Sequence, residues 1–421
     1  MNNAMNDNML TEPSGDYYDW ALTCKPERPF LHDYHQTLVM KIFLAEKRPN
    51  GGCKVMLTFA QTLDVIRRLD NITCGIPKIV YLVGWQYNGH DSKYPAWDQV
   101  NHRLKRDEDA TALESLKWLM AEAFKYNTTV SLHVCMIDAN MESPLWQTYL
   151  DHDIIAKDKQ GNLLKGEVFG SWIGPDTQSY QMSYAREWET GFAQKRIDGL
   201  LAMLPIQRAR TLHIDAFHSF APGRDHDDTI SPYLGYTIGK EIQTQRKIYR
   251  YFRDRGVDIT AEGDYWLRRD AFVGLQPMAW HFHGISACPP QLYCGTPMQA
   301  EVEIRNDPEM LSGLMEQFCL KVAPWHYDNN TTRAKGAPPV RGHESVFIPA
   351  LWAENALIAY NRKGCPSRQW PLPPGWEEVR QVRLQEITLD GRVDRSVLPV
   401  ADGQFAMGLD PMCPLWITPL K

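Results

Sequence analysis

The sequence predicts an α/β protein, a (β/α)8 TIM barrel followed by a small antiparallel β domain, on three observations. Apolar strand-like runs alternate with longer helical patterns over most of the chain, the order of a parallel sheet built from β–α units. Polar residues recur where the predicted strands end, at Trp85 to Asp91, His133 and Asp138, Asp215 and His218, Glu262 and Asp264, and Trp280 and His281. In a TIM barrel those C-terminal strand ends form the active-site face. No glycine-rich GxGxxG or Walker loop follows an early strand, which counts against an open nucleotide-binding sheet.

The elements follow in order. "HQTLVMKIFLA" (35–45) reads as a strand, and 55–72 as a helix with Phe59, Leu63, Ile66 and Leu69 at helical spacing. "KIVYLVGW" (78–85) is a buried strand, followed by a helix over 109–127 and the strand "TVSLHVCMI" (129–137). After a long loop come a helix over 184–204, the strand "TLHIDAF", a helix over 236–256, the strand "VDITAEGDYW" and a further strand, "MAWHFHG" (278–284). From about Gly342 the pattern becomes short alternating runs separated by proline and glycine, as in an antiparallel β domain. The expected organisation is an N-terminal extension over 1–34, a catalytic barrel over 35–341 and a β-sandwich-like domain over 342–421.

At 421 residues with 43% hydrophobic content, the chain has the size and composition of a packed enzyme. Its net charge of -6 is spread among interspersed acids and bases, without the lysine or arginine block that tracks a phosphate backbone, so nucleic acid is not an expected partner. The opening "MNNAMNDNMLTEPSGD" has neither a basic start nor an apolar core, and no segment reaches the length of a membrane span. The expected location is the cytoplasm, with no membrane partner. Nine scattered cysteines without CxxC spacing fit reduced thiols better than a disulfide framework or a zinc site. Fourteen tryptophans and eighteen tyrosines include candidates for stacking on sugar rings, although most belong to the core.

Within "RTLHIDAFHSF" (210–220), Asp215 interrupts the apolar strand residues Leu212, Ile214, Ala216 and Phe217. A single acid at a strand end often only pairs with a neighbouring arginine or histidine. Glu262, in "DITAEGDYW", is a second acid placed after a strand core, and two carboxylates on one barrel rim are the equipment of a glycosidase. In a retaining enzyme one attacks the anomeric carbon while the other, kept protonated, releases the leaving oxygen; repulsion and burial hold that proton near neutral pH.

The stretch "VGWQYNGHDSKYP" resembles the signature of retaining endo-α-N-acetylgalactosaminidases and the related exo-acting α-N-acetylgalactosaminidases. The similarity continues through "VSLHV", "SWIGPDTQSY", "LHIDAFH", "RGVDITAEGDYW" and "MAWHF", from about Leu38 to His283. The resemblance implies that Asp215 is the nucleophile, Glu262 the general acid/base, and Asp91 and His133 ligands of sugar hydroxyls. Two positions depart from the family. Val83 stands where it has a lysine, and "LHVCMIDAN" offers no counterpart of its asparagine. Without an export signal or large accessory domains, a small imported glycoside is the expected substrate, carrying an α-galactosyl or α-N-acetylgalactosaminyl residue.

Each remaining candidate also has a plainer reading. His90 fits a residue bracing the loop as well as one touching sugar, Asp91 could be a turn residue, and His133 a core histidine. Trp172 and Trp280 are candidate stacking platforms over the barrel mouth, or loop anchors. His213, Asp215, His218, His281 and His283 could suggest a metal-dependent hydrolase of the amidohydrolase type, but their two-residue spacings also mark same-face strand residues without metal. The two-carboxylate chemistry requires neither metal nor cofactor. A catalytically idle carbohydrate-binding protein is the other alternative.

Overall fold

The computed structural model describes residues 18–158, 160–166, 179–217, 222, 236–261, 272–277, 290–292, 299–301, 307–331 and 344–420. Its centre is a sheet of six strands: β1 (Leu38–Phe43), β2 (Lys78–Val83), β3 (Thr128–Cys135), β4 (Thr211–Asp215), β5 (Asp258–Ala261) and β6 (Gln299–Glu301). Their order is β6-β1-β2-β3-β4-β5, and every pairing is parallel. Among the described residues the sheet is mixed with helices in the α/β manner and is not closed by a pairing of β5 with β6. The strand predicted over 278–284 lies outside the described residues, so the closed eight-stranded barrel stays a proposal. All six residues of β2 are buried, as expected of a parallel strand covered on both faces.

Helices α1 (Phe59–Ile72), α2 (Ala112–Glu122), α3 (Tyr184–Glu189), α4 (Phe192–Met203) and α5 (Ile238–Asp254) connect these strands. The helix expected over 55–72 starts four residues later, at Phe59, because the Thr58 hydroxyl accepts from Gln61 N and the Gln61 side chain accepts from Thr58 N, a capping box. Cys53–Val55 instead forms a short hairpin strand with Ala45–Lys47. The single helix expected over 184–204 is two, since Gly191 adopts φ +80 between them, a left-handed conformation that breaks the helix. Two helices that the periodicity did not reveal, α6 (Pro308–Gln317) and α7 (Ala323–Thr331), follow β6. The Asp307 side chain caps the first, with proline in its first turn, a start signal legible in "NDPEM".

Strands β7 (Ser345–Pro349), β8 (Leu357–Asn361), β10 (Gln381–Thr388), β11 (Gly391–Pro399) and β13 (Leu415–Leu420) make an antiparallel sheet in the order β7-β8-β13-β10-β11, faced by the pair β9 (Cys365–Pro371) and β12 (Gln404–Leu409). One face buries Leu357, Val382, Leu384 and Ile417 against Trp370, Phe405 and Met407 of that pair. Ile358, Tyr360 and Trp416, from the other face, join the core that contains α1 and the parallel sheet. The alternation expected after Gly342 therefore serves two cores at once.

One buried ion pair braces the C-terminal end of β3. Arg196 on α4 meets Glu187 on α3 at 2.6 Å, with side chains 4% and 0% exposed, and Tyr149 donates to the same carboxylate at 2.7 Å. The guanidinium lies 4.2 Å from the centre of the Trp97 ring and also points at the carbonyls of Cys135 and Pro95, both at 3.4 Å. It thereby ties the last residue of β3 to the loop that follows β2. Removing one partner leaves the other charge buried, so Arg196→Met should destabilise the fold by about 3–5 kcal/mol, whereas Arg196→Met with Glu187→Leu should recover most of that loss. Denaturant unfolding of the single and double variants measures the difference.

Candidate active site

The site is built first by backbone. β2 ends at Val83, and Gly84 (φ +77) turns the chain so tightly that a Cβ there would stand 2.1 Å from Ala45 O. Gly89 (φ +117) passes the same carbonyl, with a Cβ position 2.7 Å away. Only glycine permits both the dihedral and the approach. The gain is a loop pinned to β1's extension, with His90 N donating to Ala45 O at 2.9 Å. Asp91 follows at φ 53, a left-handed conformation that aspartate tolerates better than most residues.

Strand register supplies the rest. β3 and β4 pair His133 with His213 and Cys135 with Asp215. Partners in a parallel register share a face, as do residues two apart; His133, His213 and Asp215 therefore lie on one side. Their rings form a continuous file: Tyr81 to His213 at 5.2 Å, His213 to His133 at 5.2 Å, His133 to His90 at 5.5 Å, and His90 to Phe43 at 5.7 Å between centres. Beneath it Tyr81 and Tyr34 both hydrogen-bond the Thr211 hydroxyl, at 2.6 and 2.9 Å, and Ser131 donates to Thr211 O at 2.6 Å. The strands thus meet through buried polar contacts that hold Tyr34, Tyr81, Ser131 and Thr211 in fixed places.

At the rim, Asp215 Oδ2 lies 3.6 Å from His133 Nε2, with side chains 25% and 3% exposed. His133 is itself anchored, since Trp85 Nε1 donates to its carbonyl at 3.0 Å, while the His213 ring shares a 2.9 Å hydrogen bond with Thr260 on β5. His90 Nε2 lies 3.3 Å from Asp91 Oδ1. Directly after Asp215, Ala216 takes φ 46, an unusual conformation for a residue with a side chain and of the kind that clusters at functional sites.

A third carboxylate joins them. Asp138 opens the short strand Asp138–Asn140, which pairs with Ser179–Gln181; Ser179 Oγ donates to it at 3.0 Å and Cys135 Sγ at 3.6 Å. Burial, and then the like charge of Asp91, push its carboxyl up to about 7. Asn140 completes the support by accepting from Tyr94 N at 2.8 Å.

The structure gathers His90, Asp91, His133 and Asp215 at one end of the sheet. Glu262, Trp172, Trp280, His218, Asp264, His281 and His283 lie outside the described residues. Sequence reading noted Asp138 at a strand end but not its partnership with Ser179, which is 41 residues away and carries no local signal. His90, His133 and Asp215 are, among the described residues, a group whose ligand atoms all fall within 4.8 Å of one another and could hold a metal ion.

The family model of endo-alpha-N-acetylgalactosaminidase, glycoside hydrolase family 101, matches residues 36–262. The chain belongs to that family. The matched segment contains His90, Asp91, His133, Asp215 and Glu262. Among solved structures, the chain is similar to alpha-N-acetylgalactosaminidase NagBb from Bifidobacterium bifidum in its GalNAc complex, at 12% identity and a TM-score of 0.46 over 60% of this chain and 37% of that one. It thus spans well under half the length of that protein. Others are a GH36 alpha-galactosidase, AgaA from Geobacillus stearothermophilus (12% identity, TM-score 0.41, 93% of this chain and 57% of that one), and an alpha-amylase from Geobacillus thermoleovorans complexed with acarbose (9%, 0.46, 93% and 99%).

Asp138 makes the site's electrostatics testable. Because its folded carboxyl is raised from 3.8 to about 7, the native state binds a proton there that the unfolded chain gives up earlier. Its contribution to stability is present at low pH and is lost as pH rises from about 4 to about 7. Glu241, buried and likewise raised to about 7 chiefly by that burial, adds a slope of the same sign. Asp138→Asn should make the change in unfolding free energy between pH 5 and pH 8 less negative, and Glu241→Gln should shift it in the same direction; urea titrations at the two pH values read it directly.

Proposed function

We propose that this chain is a retaining α-glycosidase that transfers an α-N-acetylgalactosaminyl or α-galactosyl residue from a small glycoside to water. The observation that carries the reading is the placement of Asp215, a partly exposed carboxylate at the C-terminal end of a buried parallel strand, beside His133 and within reach of Asp91 and His90. Asp215 is the nucleophile. Glu262, which follows Ala261 at the end of β5, is the acid that protonates the departing oxygen and then the base that deprotonates the incoming water. Asp91 and His133 bind sugar hydroxyls, a charge-assisted contact in the case of Asp91. Trp172 and Trp280 are the proposed stacking surfaces. The oxocarbenium-like transition state asks only for charge stabilisation and proton transfer, so no cofactor takes part.

His133 has a further task in this scheme. Fixed by Trp85 through its carbonyl and by its neighbours through ring contacts, it keeps an imidazole edge 3.6 Å from Asp215 in a direction that does not change during reaction. Such preorganisation is worth most where water is excluded. The strained Ala216 turn then aims the carboxylate without any reorganisation of the strand.

The two carboxylates separate by substitution. Asp215→Asn should abolish turnover on every substrate, because an amide forms no glycosyl-enzyme intermediate. Glu262→Ala should still release a nitrophenolate in a burst, since that leaving group departs without a proton, and azide should then accelerate turnover. NMR of the product should show an α-glycosyl azide, and wild-type hydrolysis should give the α anomer first. Substantial activity in Asp215→Asn, or first release of the β anomer, contradicts the assignment.

A further inference from the structure

Two imidazoles and a carboxylate converge at the mouth of the sheet. His90 comes from the loop after β2, His133 from β3 and Asp215 from β4, and their ligand atoms lie within 4.8 Å of one another. His133 Nε2 and Asp215 Oδ2 are already 3.6 Å apart. A tetrahedral zinc with bonds of about 2.0–2.1 Å holds its ligands about 3.4 Å apart. That pair needs almost no movement, and the widest separation must close by only about 1.4 Å. His90 sits on a loop with its side chain 19% exposed, so the adjustment falls on the least confined of the three.

The donor set selects the kind of metal. Calcium and magnesium require six or more oxygens, whereas two imidazoles and one carboxylate suit zinc and its borderline neighbours. Outer contacts add to the fit. Asp91 Oδ1 lies 3.3 Å from His90 Nε2; with Nδ1 as the metal-facing nitrogen, this is the carboxylate–histidine relation that orients metal ligands and raises their basicity. The His133 ring is bracketed by His90 and His213, which holds its direction. Among the described residues three ligands are assembled, which leaves a fourth position for a further donor, and with Asp215 25% exposed the ion enters from solvent.

We propose that His90, His133 and Asp215 form a zinc-binding site whose occupation switches the enzyme off. The inhibitory half rests on the function proposed above: a metal bound through the carboxylate of Asp215 takes up the oxygen that must attack the sugar. The binding half stands on the geometry alone. Zinc and substrate then exclude each other, and a chelator restores activity.

The test uses the full chain, dialysed against EDTA and returned to chelator-free buffer, with zinc alone as the probe. One equivalent should be withdrawn from a chromogenic chelator, and cobalt(II) should give the visible absorption of a tetrahedral site. His90→Gln and Asp215→Asn should each weaken binding by more than the roughly 10–100-fold that even outer partners contribute, with circular dichroism confirming the fold; His133→Gln, more deeply buried, serves as the third variant. Cleavage of nitrophenyl α-N-acetylgalactosaminide by the wild type should fall with added zinc and return with EDTA. Absence of stoichiometric binding, or binding unchanged in folded His90→Gln and Asp215→Asn, overturns the site. If zinc binds through these residues but turnover requires it, the site stands while the inhibitory role and the double-displacement reading both fall. If zinc binds and no glycoside is cleaved under any condition, only the proposed function falls.

Discussion

The register of β3 against β4 is the constraint on which the site depends. Pairing His133 with His213 and Cys135 with Asp215 places two histidines and the carboxylate on one face, because side chains alternate along a strand and paired residues in a parallel ladder point the same way. A slip of one residue would send Asp215 toward the helical layer and bring Ile214 to the mouth. The register is held from both sides: Ser131 reaches across to Thr211 O, Tyr34 and Tyr81 converge on the Thr211 hydroxyl, and His213 bonds Thr260 on the next strand. These are polar contacts in a buried interior, where a mismatched partner would leave an unsatisfied group at about 1–3 kcal/mol. The interior specifies a single alignment more sharply than an apolar filling could.

Around that frame the charges are arranged by depth. Asp138 is the group pushed up to about 7, first by burial and then by the like charge of Asp91, so the neighbouring carboxylates do not all ionise with equal ease. Asp91 and Asp215 keep 29% and 25% of their side-chain surface and each has a histidine beside it. In the proposed reading the same arrangement serves two ends: it presents carboxylates to a polyhydroxylated ligand, and it attracts a divalent cation. Which of these prevails at a given moment depends on what the solution supplies.

Much of this was legible in the sequence because it follows a period. Asp215 stood out as a carboxylate inside an apolar alternation, His133 shared that alternation, and His90 and Asp91 sat in a glycine-bearing turn after an unbroken apolar strand. The parallel pairing of the strands followed from repeated β–α units, and the antiparallel β region from the change of period after Gly342. What could not be read were contacts between distant segments. Asp138 meets Ser179 only because a long loop returns to form a two-stranded pairing, and Arg196 supports Cys135 and Pro95 across the helical layer. Helix boundaries moved for local reasons, at the Thr58 capping box and the left-handed Gly191. Val83, where the family carries a lysine, is fully buried and paired with Phe43, so in this chain the position belongs to the core.

The central claim is that Asp215 becomes covalently attached to sugar. A mechanism-based 5-fluoro α-glycosyl fluoride, which forms the intermediate readily and releases it slowly, traps that species for peptide mass spectrometry. One label per chain is expected, on the peptide containing Asp215 and lost in Asp215→Asn. A label on Asp91 or Asp138, or hydrolysis of the reagent without any labelled peptide and with inverted product, would contradict it.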